Sequence, residues 1–398
     1  MVKAVFYQLI LYAYLFLVIS HNYFLNMVSI VEVKSGWQLR KFITYPEKLY
    51  KDCPQYVPAL IGDEFDTLSD RNSAMEYCEY KLFLAYNEKN EIVGRTAAII
   101  NQRANEKWNE KNVRFGWIDF INDVGVLKAL IGAVEKWGRE KGMTKIKGPL
   151  GFTDFDREGL LVEGYEHLSP FTCIYNYPYY DELLRQIGFS KDTDWTQKLV
   201  EVSPELPSMF QFAHLVEERF GIHAVRGMSM KEMCRRYGLQ AFHVINESFA
   251  ELYEYAPFSD EQIRRYLKTY VPILDPDFVC VLVDANDDVI GFSFCVPTLS
   301  EAVKKSGGRL FPFGFLRILR ALRKNDTLEA LVVGIKPEYQ GKGASVLLLQ
   351  YLHENCIKRG ITRLIANPQL EDNVKVQTLF SGYETHQYMR RRSYTKDL

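Results

Sequence analysis

The chain of 398 residues has no excess of charge: Lys and Arg number 49 against 50 Asp and Glu, a net charge of −1. That balance gives no basis for a nucleic-acid footprint, so no nucleic-acid partner is expected. Its seven cysteines include no CxxC pair and its seven histidines show no ligand spacing. Neither a disulfide scaffold nor a zinc site is expected, and no metal. The GxxxxGK[ST] of a nucleotide loop and the GxGxxG of a dinucleotide site are both missing. What is present is a 47% hydrophobic chain long enough for two domains in a reduced, cytoplasmic setting.

One apolar run stands apart. Residues 4–20, AVFYQLILYAYLFLVIS, approach the length of a membrane span but carry no small-residue cleavage site after them. An upstream start codon, with the globular pattern beginning at Met27, a signal anchor and a core or interface helix all fit, so 1–26 is an N-terminal segment apart from the two domains.

The most informative stretch is residues 328–361, LEALVVGIKPEYQGKGASVLLLQYLHENCIKRGI. It reads as a buried strand, a Pro-led turn, a glycine-rich loop and an amphipathic helix. Gln340, Gly341, Lys342, Gly343, Ala344 and Ser345 fall where strand gives way to helix. Glycines there admit a ligand close to the backbone, and the first helical amides have no intrahelical partner. With the positive end of the helix dipole they make a socket for a phosphate.

A repeat organises the rest. Residues 83–100 and 279–296 each read as a β-hairpin around Asn and acidic residues. Each is followed by a strand (113–121; 328–335), an amphipathic helix (126–141; 344–359) ending at Gly142 or Gly360, and a short strand (145–147; 363–366). The join falls near 201–208, EVSPELPS, dividing the chain into 27–203 and 204–398. In place of QGKGAS the first copy has FINDVG, whose Asp123 repels a pyrophosphate. The first half is therefore read as a degenerate copy that shapes the substrate side, or one that binds a ligand of its own.

Gln340, Gly343 and Ser345, after Ile335 and Pro337, resemble the Q/R-x-x-G-x-G/A signature of the GNAT superfamily of acyltransferases. Ser stands in the last position, where that family prefers Gly or Ala. The order β-β-β-α-β, twice, resembles two tandem GNAT-like domains, an α/β fold on a mixed sheet. The resemblance implies acyl-CoA as donor co-substrate, its pyrophosphate on residues 340–345 and its pantetheine arm along Val333, Gly334 and Ile335, with Asn373 as a further partner. The family's N-x-x-A-x-x-L-Y pattern is matched by Asn373, Val376, Leu379 and Phe380. Phenylalanine cannot donate a proton, and Tyr383 or water is the substitute. Glu329, eleven residues before Gln340, lies where several GNAT enzymes carry a catalytic glutamate. Alternation puts it on one face with Leu331 and Val333. An acid on an apolar strand is desolvated and its pKa rises, whereas one at an exposed strand end is idle.

Two further stretches bear on the acceptor. Asp154, Asp156 and Glu158 crowd a glycine-containing loop ahead of Tyr175 and Tyr177. Carboxylates beside aromatics suit a cationic amine on an otherwise greasy molecule, and also an ordinary acidic loop. From Lys304 to Lys324, inside an insertion over 299–327, seven positive charges occur with no acid. Phe315, Ile318, Leu319 and Leu322 share one helical face there, with Arg317, Arg320 and Lys324 on another. Such a helix either contacts an anionic membrane through 309–324 or packs as a lid.

The overall pattern and the basic insertion also resemble bacterial N-acyltransferases such as ceramide synthases. The expected function is therefore acyl transfer from acyl-CoA to a small-molecule or lipid amine, in the cytoplasm or peripherally at the inner membrane. A CoA-binding pseudo-acyltransferase and a Fem-like aminoacyl transferase are the alternatives.

Overall fold

The computed structural model describes residues 28–271 and 274–398; the apolar segment 1–26 lies outside them. The first half contributes β1 (Ser29–Glu32), β2 (Cys78–Tyr86), β3 (Ile92–Asn101), β4 (Asn112–Phe120), β5 (Lys145–Gly148), β6 (Leu160–Glu163) and β7 (Ser190–Glu201). The second half contributes β8 (His223–Ala224), β9 (Val279–Val283), β10 (Val289–Pro297), β11 (Thr327–Ile335), β12 (Arg363–Ala366), β13 (Gln369–Leu370) and β14 (Thr385–Asp397).

Both hairpins form, and each turn uses a left-handed residue, Asn90 at φ 57° and Asp287 at φ 70°. Short polar side chains tolerate that conformation best after glycine. Among the described residues two pairings in the sheet are parallel, β4 with β5 and β11 with β12. Each needs a crossover, supplied by helices Val124–Glu140 and Ala344–Arg359. The first of these buries Val126, Leu127, Leu130, Ile131, Val134 and Trp137, one helical stripe laid on the sheet. Each such side chain contributes about 2 kcal/mol. The second ends at Gly360, whose φ of 68° stops the helix.

The two halves share a single sheet because their last strands are exchanged. β7 leaves the first half and pairs antiparallel with β12. β14 leaves the second half and pairs with β5. The two then lie antiparallel to each other from Thr385↔Val200 to Thr395↔Ser190. The order is β1-β2-β3-β4-β5-β14-β7-β12-β11-β10-β9-β8. A buried ion-pair network crosses the seam: Arg114 of β4 meets Glu254 at 2.8 Å, and Lys147 of β5 meets the same carboxylate at 2.9 Å. Among the described residues no helix is long and apolar enough to cross a membrane.

Candidate active site

The glycine loop closes the end of β11. After a short 3-10 turn at Pro337–Tyr339, Gly341 and Gly343 adopt φ of 74° and 89°. Both angles belong to the left-handed region that side chains avoid. Gly343 is the N-cap of helix Ala344–Arg359, and no side chain caps that helix. Its first two amides, those of Ala344 and Ser345, are thus left to a ligand, while the Val346 N–H donates to the Gly343 carbonyl. A Cβ on Gly343 would come within 2.8 Å of Val216, whereas one on Gly341 would meet nothing within 4 Å. One glycine packs on the protein and the other faces open space. Gln340 fixes the loop: its Nε2 donates to the Ile335 carbonyl at 3.0 Å and its Oε1 accepts from Lys375 at 2.8 Å. Lys342 is exposed beside the Tyr339 ring.

The first half does the opposite at the same place. Asp123 caps helix Val124–Glu140, accepting from the Gly125 and Val126 amides at 2.6 and 3.2 Å. The carboxylate fills the position an anion would take, so repulsion is joined by occupancy.

β11 and β12 run together only from Thr327↔Arg363 to Ala330↔Ala366. Beyond that point the strands part, and Asn367 closes the fork through its N–H to the Ala330 carbonyl and its Nδ2 to the Leu331 carbonyl. Val333, Gly334 and Ile335 therefore have a strand neighbour on the β10 side alone. The register against β10 also slips there: Cys295 pairs with Ala330 but Phe294 with Val332, leaving Leu331 as an extra residue. Such a bulge changes the facing of everything after it. Hence the expected single face of Glu329, Leu331 and Val333 is not what forms. Val333 and Ile335 pack toward helix Ala344–Arg359, and Val332 packs on the opposite side with helix Met230–Ser248.

Glu329 is 2% exposed and faces the seam between the halves. Its Oε1 accepts from Thr298 at 2.5 Å and from Ser300 at 3.5 Å; its Oε2 accepts from Thr172 of the first half at 3.3 Å. Burial raises its pKa from 4.5 to about 7, opposed by those hydroxyls and by the nearby Arg157 charge. A carboxyl poised near neutrality is able to accept a proton at physiological pH.

The acidic loop lies at the same seam. Phe155 at its centre packs on Phe242, Phe258 and Tyr266 of the second half. Burial pushes the Asp154 pKa up to about 7 and that of Asp156 up to about 6. The Glu158 carboxyl is raised well above its ordinary value, by burial first and by Asp154 next. Asp156 accepts from the Thr153 amide at 2.9 Å, while Glu158 Oε1 is buried with no hydrogen-bond partner among the described residues. The Arg114 charge offsets only part of the rise for Asp154 and Glu158, and a further cation would relieve the rest.

Tyr175 and Tyr177 do not join those acids. They pack around Tyr50, with ring centroids 5.9 and 5.1 Å from it, and Tyr50 stacks on Tyr56 at 4.5 Å. Tyr56 and Tyr175 line a cleft of about 670 Å³, open mouth included, together with Arg95, Asp119, Glu64 and Trp117. Arg157 reaches this cleft from the acidic loop.

Tyr383 and Glu329 are not brought together either. Tyr383 packs with Leu328 and Ala330 on the side of helix Ala344–Arg359, whereas Glu329 alternates to the other side. Its hydroxyl meets His353 Nδ1 at 3.1 Å, and His353 Nε2 meets the Ser203 carbonyl at 2.9 Å. A carbonyl only accepts, so Nε2 carries the proton, and neutral Nδ1 then takes that of Tyr383. Phe380 is buried in the same cluster. Asn373 caps the short helix Val374–Gln377, its side chain accepting from the Val376 amide.

The hydroxyls around Glu329 were not legible beforehand. Thr172 lies 157 residues away in sequence, and neither Thr298 nor Ser300 belongs to a motif. Among the described residues no cluster of His, Cys, Asp and Glu is arranged to hold a metal.

Residues 242–383 match the family model described as Acetyltransferase (GNAT) family. Protein YghO of Escherichia coli (strain K12) is 26% identical over 371 residues, covering 90% of this chain and 93% of that protein. A bacterial ceramide synthase of Caulobacter vibrioides (strain NA1000 / CB15N) is 22% identical over 388 residues, covering 93% and 98%. Among solved structures, a tandem GNAT protein from the clavulanic acid biosynthesis pathway superposes with a TM-score of 0.55 at 11% identity, covering 93% of this chain and 98% of its own. A fungal GCN5-related glucosamine N-acetyltransferase region also gives 0.55, at 14% identity, over 93% of this chain and 38% of that one. The chain has the fold of a tandem GNAT protein, and residues 242–383 are similar to the Acetyltransferase (GNAT) family.

Proposed function

We propose that the protein transfers an acyl group from acyl-CoA to a primary amine. One observation carries this reading: an uncapped, glycine-lined helix start closes a strand that forks at Leu331, and that strand carries a buried carboxyl of pKa about 7 just before the fork. The amides of Gly341, Gly343, Ala344 and Ser345 suit a diphosphate, the Lys342 N–H being bonded to the Tyr339 carbonyl. The free edge at Val333 to Ile335 suits the amides of the pantetheine arm, which directs the thioester toward Glu329.

In the reaction the amine nitrogen bonds to the thioester carbonyl carbon and the carbon–sulfur bond breaks. Glu329 takes the proton the amine sheds, and the departing thiolate acquires one from solvent. Most of the acceleration comes from holding amine and thioester together, with a general base adding a factor of about 10² to 10⁴. Asp154, Asp156 and Glu158 draw in the ammonium form of the acceptor. The aromatic part of the cleft, Tyr56, Tyr175 and Trp117, suits an apolar body, and the likeness to a bacterial ceramide synthase supports a lipidic acceptor.

Calorimetry with acetyl-, palmitoyl- and desulfo-CoA tests the donor, followed by turnover on an amine panel. Binding is expected, with a chain-length preference, and is lost in Gly343→Val, where the added side chain collides with Val216. Tight binding without turnover on any amine would instead identify a CoA sensor. No binding at all would leave the Fem-like reading.

A further inference from the structure

The segment between β10 and β11 lends Thr298 and Ser300 to Glu329 at its start, and the remainder, which touches none of those groups, is firmly placed. Helices Ser300–Ser306 and Gly314–Arg323 form it. It is fastened to the other half: the Ile61 amide donates to the Gly308 carbonyl at 3.0 Å, and Arg309 grips the Glu47 carboxylate at 3.0 and 2.8 Å. Ile318, Ala321 and Leu322 turn inward onto Val57, Leu299 and Val303.

Its outer side is apolar and basic. Of the fourteen large hydrophobic side chains exposed among the described residues, six fall within residues 310–319. Phe311 is 80% and Phe313 67% exposed, at the tip, and Leu316 and Leu319 follow on the outward side of the helix. Arg320, Arg323 and Lys324 beside them are exposed and make no ion pair among the described residues. Water alone is a poor neighbour for such a patch, and the unbalanced charge selects an acidic partner. Projecting aromatics beside a basic amphipathic helix match the interface of an anionic bilayer, where rings enter the acyl boundary and arginines stay at the headgroups.

The patch also borders the cleft. Glu47 and Ile61, which hold the insertion, line it, and so does Arg157, close enough to Glu329 to lower its pKa. We infer that residues 310–324 dock this face of the protein on an anionic membrane surface. The mouth of the cleft then lies at the bilayer. Docking does not depend on acyl transfer, so the two readings fail separately.

Co-flotation of the full chain with phosphatidylglycerol-containing and pure phosphatidylcholine vesicles tests it. Binding to the anionic vesicles alone, weakened by salt, is expected. Substituting Arg320→Gln, Arg323→Gln and Lys324→Gln together lowers affinity about a hundredfold, at about fivefold per charge. Phe311→Ser with Phe313→Ser also weakens binding, with an unchanged melting temperature because both rings are exposed. Failure of the wild-type chain to float on anionic vesicles overturns the inference. So does equal flotation of both variants, which moves the contact to another segment. A lipid-free dimer that the same variants dissociate would make the patch an interface between two copies.

Discussion

Changing Glu329 to Gln separates a catalytic carboxyl from a structural one. Its pKa is raised from 4.5 to about 7, chiefly by burial. At 1.36 kcal/mol per unit, ionising this carboxyl costs the folded protein about 3 kcal/mol. The sign follows from linkage. A folded-state pKa above the unfolded one contributes stability that is complete below pH 4.5 and lost as pH rises through 7. The wild-type chain therefore gives up as much as about 3 kcal/mol between pH 5 and pH 8, a shift of a few degrees in melting temperature. Glutamine is isosteric and never ionises, and the Thr298, Thr172 and Ser300 hydroxyls can rotate to donate or accept. Glu329→Gln is expected to lose less melting temperature over that range than the wild type, the remaining loss coming from Asp154 and Glu158, and to melt above the wild type at pH 8. Turnover should move the other way. The wild-type rate rises about tenfold per pH unit below 7 and levels off above it, whereas Glu329→Gln loses about 10² to 10⁴ in kcat with little change in CoA affinity. Melting curves collected from pH 5 to 8.5 beside kcat profiles supply both readouts. Superimposable melting profiles would refute the buried ionisation, and wild-type kcat in Glu329→Gln would refute the base.

Two other perturbations probe the seam. Glu254→Gln leaves Arg114 and Lys147 buried without their shared carboxylate and is expected to cost about 3–5 kcal/mol, read by urea denaturation; a loss under 1 kcal/mol would show that the network is not structural. Asp154→Asn with Glu158→Gln should raise KM for the amine at least tenfold with CoA affinity unchanged, and should flatten the stability loss between pH 5 and 8 that their raised pKa values impose. An unchanged KM would remove these acids from acceptor binding.

Much of the architecture is local and was legible in the sequence. Hairpin turns at Asn90 and Asp287, crossover helices ending before Gly142 and Gly360, and the paired glycines of the QGKG loop each depend on nearby residues. The facing of β11 was not legible, because one extra residue at Leu331 reverses the alternation and nothing in its apolar run marks the slip. Tyr383 is three residues from a familiar pattern, but its hydroxyl is committed to His353, a contact set by the packing of helix Ala344–Arg359. Asp154 to Glu158 and Tyr175 to Tyr177 are neighbours in sequence yet diverge in space, the acids toward the second half and the tyrosines toward Tyr50. Sequence proximity placed both segments near the substrate side; only folding assigns them different walls.

The exchanged strands carry the most general consequence. β7 is the neighbour of both β12 and β14, yet it comes from the first half of the chain. A fragment spanning 204–398 would retain the whole glycine loop and the matched GNAT region while losing β7. It would expose one edge of β12 and both edges of β14, leaving seventeen ladder positions of these two strands without their partners. It would also strip Thr172 and the first-half wall from Glu329, returning the carboxyl toward water and its ordinary pKa. The fragment is thus expected to aggregate or remain unfolded by circular dichroism, and co-expression with 28–203 should restore a soluble complex that binds CoA. A stable, active fragment on its own would mean that the cofactor half is self-sufficient and that the seam does not tune Glu329. The duplication therefore does not serve as a spare copy: the half with the filled anion socket supplies a strand, a hydroxyl and an acidic wall to the half whose socket stays open.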